Sequence, residues 1–337
     1  MKMFRSLLGP SARGRRRPVT TIAAALWSAA WLVALPAAAA PRYAAIVTAA
    51  DTGEILYASN ADAVLHPASI TKIMTLYLAF EALETGRLHP TDRVVWSRHA
   101  AAQSPTKLGV PAGGSLSVDA VIRAIAVKSA NDAAVALAER IDGTETAFAA
   151  HMTREAKRLG MTGTRFVNAS GLPNAAHVTT ARDIATLSAA MIRRFPERYR
   201  YFSTASFTYG KRRFVNHNHL LGKVAGVDGI KTGFTNDAGW TLAASAQRDG
   251  KRLIAVVLGA RSPATRDKDV ERLLDLGFDS LDHRALGEPF SIAANFHSLG
   301  AGGAAARPAT GAGDEEPAVR PTARPAPHKP APAKKKP

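Results

Sequence analysis

Ser69 stands three places before Lys72 in HPASITKIMTLYLAF, residues 66–80. Side chains three apart share a helix face, so the lysine amine can reach the serine hydroxyl and take its proton. Ile73, Met74, Leu76, Tyr77, Leu78 and Phe80 leave almost no polar face, which predicts a helix buried on most sides. Burial disfavours an ammonium and draws its pKa toward neutrality, making Lys72 a usable base for a Ser69 nucleophile. The spacing alone proves little: with 19 serines and 14 lysines in the chain, such a pair arises about once by chance. A second pair does occur, Ser104 and Lys107 in QSPTKLGVPAGG. There Gly109 and Pro111 bar the long apolar helix that would desolvate the lysine.

Two other stretches carry polar groups suited to the same chemistry. KSANDAA sets Ser129 and Asn131 between two helical patterns, where Asn131 or Asp132 would also serve as an N-cap. GIKTGFT sets Lys231, Thr232, Gly233 and Phe234 on a strand, where a solvated lysine is equally ordinary. His217 and His219 in VNHNHLL lie two apart with no third ligand nearby, which reads as a satisfied polar loop.

The elements that must position these groups follow from periodicity and turn residues. AAIVTAA (44–50) and EILYAS (54–59) flank Asp51, Thr52 and Gly53 as a hairpin. The buried helix begun at Ser69 stops near Gly86. VDAVIRAIAV carries helical periodicity from Ser117 to Lys128, and DAAVALAERI carries it from Asn131 to before Gly143. Further helical patterns occupy about 145–159 and 180–193. GIKTGFT leads into WTLAASAQ and RLIAVVLGA, joined by a D-G turn between Arg248 and Lys251, and a last helix is predicted from about Thr265 to Leu276. Strands at both ends with helices between them predict an α/β (α+β) fold: an antiparallel sheet of N- and C-terminal strands, flanked by helices, with a helical lobe.

The two ends differ from this middle. Lys2, Arg5, Arg13, Arg15, Arg16 and Arg17 precede an apolar stretch from Val19 to Leu35 and then small residues with an A-x-A cut before Ala40, which predicts a signal peptide over 1–39. The formal charge falls from +17, by the six cations of that leader, to +11, still basic enough to favour a negatively charged envelope surface. No basic stripe interleaves with aromatics, so nucleic acid is not an expected partner. The chain has no cysteine, so any nucleophile is an oxygen or an amine. Residues 297–337 are rich in Pro, Ala and Lys and predict a disordered tail, leaving 40–296 as the catalytic domain.

In sequence order, S-x-x-K at Ser69, S-x-N at Ser129 and K-T-G at Lys231 resemble the signature set of serine β-lactamases and penicillin-binding proteins. From about Tyr43 to Phe278 the chain resembles the low-molecular-weight penicillin-binding proteins, serine-type D-alanyl-D-alanine carboxypeptidases, through HPASITKIMT, KSANDAAVALAE, NASGLP, VDGIKTGFT and VVLGAR. The resemblance implies a β-lactamase/transpeptidase-like fold and acylation by β-lactam antibiotics, without metal or cofactor. It implies that Ser69 attacks the carbonyl between the terminal D-alanines of a peptidoglycan stem peptide, with Lys72 as base. Ser129 would relay the proton to the departing D-alanine, and Asn131 would bind the substrate amide and hold Lys72. On the strand of Lys231, Thr232 and Gly233, the lysine would keep the site positive and the threonine would bond the terminal carboxylate, with Arg266 as a second ligand for it. The backbone N–H groups of Ser69 and Phe234 would form the oxyanion hole.

Rival functions share much of this apparatus. A class A β-lactamase relies on a deacylating glutamate, and no Glu or Asp lies between Gly160 and Ala181. A D,D-endopeptidase would use identical residues, and a non-catalytic wall-binding scaffold would need none of them. Relatives often carry a basic residue near His219, and many add an all-β domain and a membrane-binding amphipathic helix. Here the tail has no apolar face, which predicts at most a loose electrostatic contact with anionic surfaces through Lys334 to Lys336.

Overall fold

The computed structural model describes residues 43–296. The predicted signal peptide and the predicted tail lie outside the described residues. In chain order the hairpin β1 (Ala44–Ala49) and β2 (Ile55–Ser59) leads through a 3₁₀ turn (Ala68–Thr71) into α1 (Lys72–Glu84). β3 (Arg93–Val95), α2 (Arg98–Ala101), β4 (Ser115–Ser117) and α3 (Val118–Arg123) follow, then a π-helical turn (Ala124–Lys128), α4 (Asn131–Asp142) and α5 (Glu145–Arg158). α6 (Ala181–Arg194), α7 (Pro196–Tyr199), a 3₁₀ turn (Arg200–Ser203) and the hairpin β5 (Ser206–Tyr209) and β6 (Arg212–Val215) come next. The meander β7 (Val227–Thr235), β8 (Gly239–Arg248) and β9 (Lys251–Ala260) precedes α8 (Pro263–Ala285) and α9 (Ile292–Asn295).

Five strands form one antiparallel sheet in the order β2-β1-β9-β8-β7, so the first strand pairs with the last, as the sequence predicts, with Ala45 opposite Val257. Alternation along these strands divides two apolar cores. Ala44 and Ile46 of β1, with Ile254 and Val256 of β9, face the core that holds α1, α4 and α6. Ala45 and Val47, with Ala255 and Val257, face Val270, Leu273 and Leu274 of α8. A fully buried Val, Ile or Leu side chain contributes roughly 1.5–3 kcal/mol, and because side chains alternate, a one-residue register slip would exchange every one of these between cores.

α8 runs past the predicted stop at Leu276 to Ala285. The sequence places its end before Gly277, a residue that weakens helices. In the fold that glycine is a packing device: a Cβ on it would stand 2.7 Å from Leu253 Cδ1 and 3.2 Å from Val47 Cγ1, so its absence lets α8 lie close on the sheet. The D-G turn takes left-handed backbone at both Asp249 (φ 47°) and Gly250 (φ 75°), as a two-residue hairpin requires. Among the described residues no helix is long and apolar enough to cross a membrane.

Candidate active site

Ser69 lies in the 3₁₀ turn rather than in the helix proper, and Lys72 is the first residue of α1. The pair thus straddles a junction, with the hydroxyl half-buried at the surface and the amine fully buried beneath it. Lys72 Nζ donates to Ser69 Oγ at 2.8 Å, to Asn131 Oδ1 at 2.7 Å and to the Ser170 carbonyl at 2.6 Å. These three acceptors come from three segments distant in sequence. Burial is the main cause that holds the Lys72 pKa well below the ordinary lysine range; the nearby charge of Lys231 lowers it further, and Asp132 opposes both.

Asn131 is not the N-cap that its sequence context allowed. Ala130 occupies that position without a side-chain cap, and the Asn131 amide turns to Lys72 instead. Nor does Asp132 cap the helix: its buried carboxylate accepts from Leu108 N, Gly109 N and Trp96 Nε1. The segment it holds contains Ser104 and Lys107, both exposed, so that pair lacks the desolvation that Lys72 has. Ser129 closes the π-helical turn in left-handed backbone, φ 62° and ψ 31°, and is buried beside Asn131. A non-glycine residue held there stores strain of about 1–3 kcal/mol, which surrounding structure must offset.

On β7, Lys231 and Thr232 are buried, and Lys231 Nζ donates to the Thr232 carbonyl at 2.9 Å. A Cβ on Gly233 would stand 2.8 Å from the Ser69 backbone N and 3.1 Å from Ala68 Cβ, so glycine is what lets this strand lie against the turn that carries Ser69. The Phe234 ring stacks on Trp240 at 4.1 Å between centroids, fixing the strand end beside the site. Arg266 lies in the first turn of α8, buried rather than solvated; it donates from Nε and Nη2 to Asp267 Oδ1 and approaches the Trp240 ring at 5.9 Å.

Three features of the site have a geometry that residue spacing does not give. Ala68 adopts φ 50°, wedged where a Cβ on Gly171 would overlap its carbonyl. The loop carrying Ser170 is tied by the Asn168 carboxamide, which accepts from Ser170 N at 3.2 Å and Gly171 N at 2.7 Å. His217 and His219 lie in the loop between β6 and β7, as the polar-loop reading expects. Burial first, then the charges of Lys231 and Lys128, push the His217 pKa down to about 3, and Arg266 adds to the effect. His219 is exposed and meets the Asp267 carboxylate at 3.2 Å.

His177 ties the 3₁₀ turn to the Ser170 loop. Its Nδ1 accepts from Val167 N at 3.1 Å, which leaves Nε2 to carry the proton and donate to Thr71 Oγ1 at 2.7 Å. Burial pushes its pKa down to about 4. Among the described residues no group of three or more His, Cys, Asp or Glu side chains could hold a metal ion. A half-buried hydroxyl bonded to a desolvated amine, with a second buried lysine close by, is an arrangement for serine acylation.

A family model described as D-alanyl-D-alanine carboxypeptidase matches residues 33–262. The chain is 37% identical over 247 residues to the D-alanyl-D-alanine carboxypeptidase DacF of Bacillus subtilis, covering 72% of this chain and 63% of that protein. It is 39% identical over 234 residues to DacC of Escherichia coli, another D-alanyl-D-alanine carboxypeptidase, covering 67% and 58%. The matched part thus spans about three fifths of the length of these relatives. Among solved structures, penicillin-binding protein D2 of Listeria monocytogenes with ampicillin bound superposes with a TM-score of 0.65 at 38% identity, covering 70% of this chain and 96% of that one.

Proposed function

The chain belongs to the D-alanyl-D-alanine carboxypeptidase family, and on that premise we propose that it removes the terminal D-alanine from peptidoglycan stem peptides through an acyl-enzyme on Ser69, and that penicillins acylate the same serine. The observation that carries this reading is the buried Lys72 amine, 2.8 Å from Ser69 Oγ and drawn toward its neutral form by burial.

As Ser69 Oγ attacks the carbonyl between the two D-alanines, its proton passes to Lys72 Nζ, and the carbonyl oxygen gathers negative charge at the N–H groups of Ser69 and Phe234. The close approach of Gly233 to the Ser69 nitrogen supports this pairing of turn and strand. Collapse breaks the C–N bond, and the departing amine takes a proton from Lys72 through Ser129. Asn131 holds Lys72 and the substrate amide; Lys231 keeps the site positive, and Thr232 and Arg266 receive the terminal carboxylate. Water then attacks the ester with Lys72 again as base, freeing the shortened peptide and restoring Ser69.

Export to the periplasm with removal of residues 1–39 fits a substrate in the cell wall, and the basic tail would add only a loose contact with anionic envelope surfaces. The test is intact-mass spectrometry of the protein and its Ser69→Ala variant with penicillin and, separately, with a peptide ending in D-Ala-D-Ala. A single lasting adduct on the parent alone, with loss of one D-alanine from the peptide, supports the reading. Rapid turnover of penicillin with the peptide intact would make it a β-lactamase. Cleavage confined to a cross-linked peptide dimer would make it a D,D-endopeptidase, and a Ser69→Ala variant that behaves as the parent would leave a scaffold.

A further inference from the structure

Arg266, proposed above to receive the terminal carboxylate of the substrate, is a long side chain that must hold one orientation to do so. Its backbone is pinned by the start of α8. Thr265 N donates to Ser262 Oγ at 3.1 Å, Ser262 N donates to Thr265 Oγ1 at 3.0 Å, and Arg266 is the next residue. The guanidinium is held in turn by its neighbour in sequence: Nε and Nη2 donate to the same oxygen of Asp267, Oδ1, at 2.9 and 2.7 Å. His219 Nδ1 meets the other oxygen, Oδ2, at 3.2 Å, so this carboxylate is itself tied to the loop between β6 and β7. Across from it the guanidinium carbon lies 5.9 Å from the centre of the Trp240 ring, which stacks on Phe234.

This arrangement divides the guanidinium into an occupied edge and an available one. Asp267 takes Nε and Nη2, while among the described residues Nη1 has no hydrogen-bond partner and is not sealed from solvent. A planar fork held along one edge presents its remaining donors in a fixed direction. An unrestrained arginine loses rotamer freedom when it binds a carboxylate, whereas one already held loses little. Asp267 also places a negative charge near the incoming anion. That charge is harmless only while Arg266 screens it, so without Arg266 the same carboxylate would repel the substrate.

We propose that Asp267 is a positioning residue for D-alanine release, holding Arg266 so that Nη1 meets the terminal carboxylate of the substrate. The proposal rests on the carboxypeptidase reading of Ser69 and on Arg266 as a ligand for that carboxylate.

The experiment uses two substrates that share one acyl group: Nα,Nε-diacetyl-Lys-D-Ala-D-Ala, and the phenyl thioester of Nα,Nε-diacetyl-Lys-D-Ala, which has no terminal carboxylate. Cleavage of each is measured with the parent, Asp267→Ala, Arg266→Ala and the double variant. Asp267→Ala should lower kcat/KM for the peptide about tenfold, as loss of a charge-assisted contact does, and leave the thioester within about twofold. In the Arg266→Ala background, adding Asp267→Ala should cause no further loss on the peptide. The two substrates are compared on one protein at a time, so differences in active fraction cancel. Asp267→Asn keeps the side-chain shape without its charge; it should move the ratio in the same direction, and it serves if the alanine variant does not fold. An unchanged ratio of the two substrates, or the same loss repeated in the absence of Arg266, overturns the assignment to Asp267 while the carboxypeptidase reading stands. A parent that leaves D-Ala-D-Ala intact overturns both.

Discussion

With Lys231 close by and only Asp132 in opposition, the buried Lys72 amine loses its proton at a lower pH than a solvated lysine. The acidic limb of kcat/KM for D-alanine release should therefore report Lys72, and its position should answer to its neighbours. Lys231→Met removes a positive charge, so the Lys72 pKa rises and the limb moves to higher pH. Asp132→Asn removes a negative one and moves it lower. A pH–rate profile in which both variants shift the limb the same way would separate Lys72 from that limb. His177 makes a different prediction, one of stability. Its pKa is near 6.5 in the unfolded chain and about 4 in the fold. As pH falls below about 6.5 the unfolded state binds a proton that the native state does not, so stability declines until about pH 4 and then levels. The loss should reach about 3 kcal/mol, since each tenfold difference in proton affinity between the two states corresponds to about 1.4 kcal/mol. Urea midpoints of the parent and His177→Gln across this range check it, because the variant should lack that slope.

At the scale of elements, the site is a meeting of four backbone pieces: the 3₁₀ turn, the π-helical turn, the Ser170 loop and β7. Gly171 is where two of them touch, with φ 85° and no room for a Cβ against the Ala68 carbonyl. Gly171→Ala should cost about 2–4 kcal/mol from left-handed strain and overlap. Because the strain falls on the residue before Ser69, penicillin acylation should slow more than tenfold, and the check is denaturant unfolding beside the acylation rate. Much of the architecture was legible in the sequence. The hairpin at β1 and β2, the buried α1, the helices α4 to α6 and the closing meander all follow from period-2 or period-3.6 patterns with glycine turns between them. The motif residues Ser69, Lys72 and Asn131 could be named from spacing, and the fold brings them into hydrogen-bond contact. What stayed hidden is what periodicity does not encode. The π-helical turn that aims Ser129 has the same apolar pattern as an α-helix, and the Ser170 carbonyl is a main-chain group that any residue carries. β3 to β6 are only three or four residues long, too short to repeat. Gly277 reads as a helix end because propensity favours that reading, and only contact with Leu253 and Val47 reveals its use.

For the molecule as a whole, every group given a chemical role above lies between Ser69 and Asp267, while the packing that closes the second core extends to Phe296, whose ring meets Tyr57 edge-on at 5.3 Å. A protein spanning 40–296 should therefore bind penicillin at the parent's rate. Ending it at Glu288 instead removes Ile292 and Phe296, both buried, and should lower stability by about 3–5 kcal/mol. Thermal unfolding and acylation of the two truncations distinguish these outcomes, and equal stability would mean that the last turn is dispensable. The pairing of β1 with β9 has a consequence in time. A strand at residues 44–49 has no partner on its inner edge until residues 251–260 are available, so the sheet's central rung forms last during synthesis and at high loop-closure entropy during refolding. Until then Ile46 and Val47 remain uncovered, and the nascent chain is open to proteases and to threading through a narrow channel. Once the rung forms, the first and last strands are locked side by side, and opening either one means breaking the sheet at its middle.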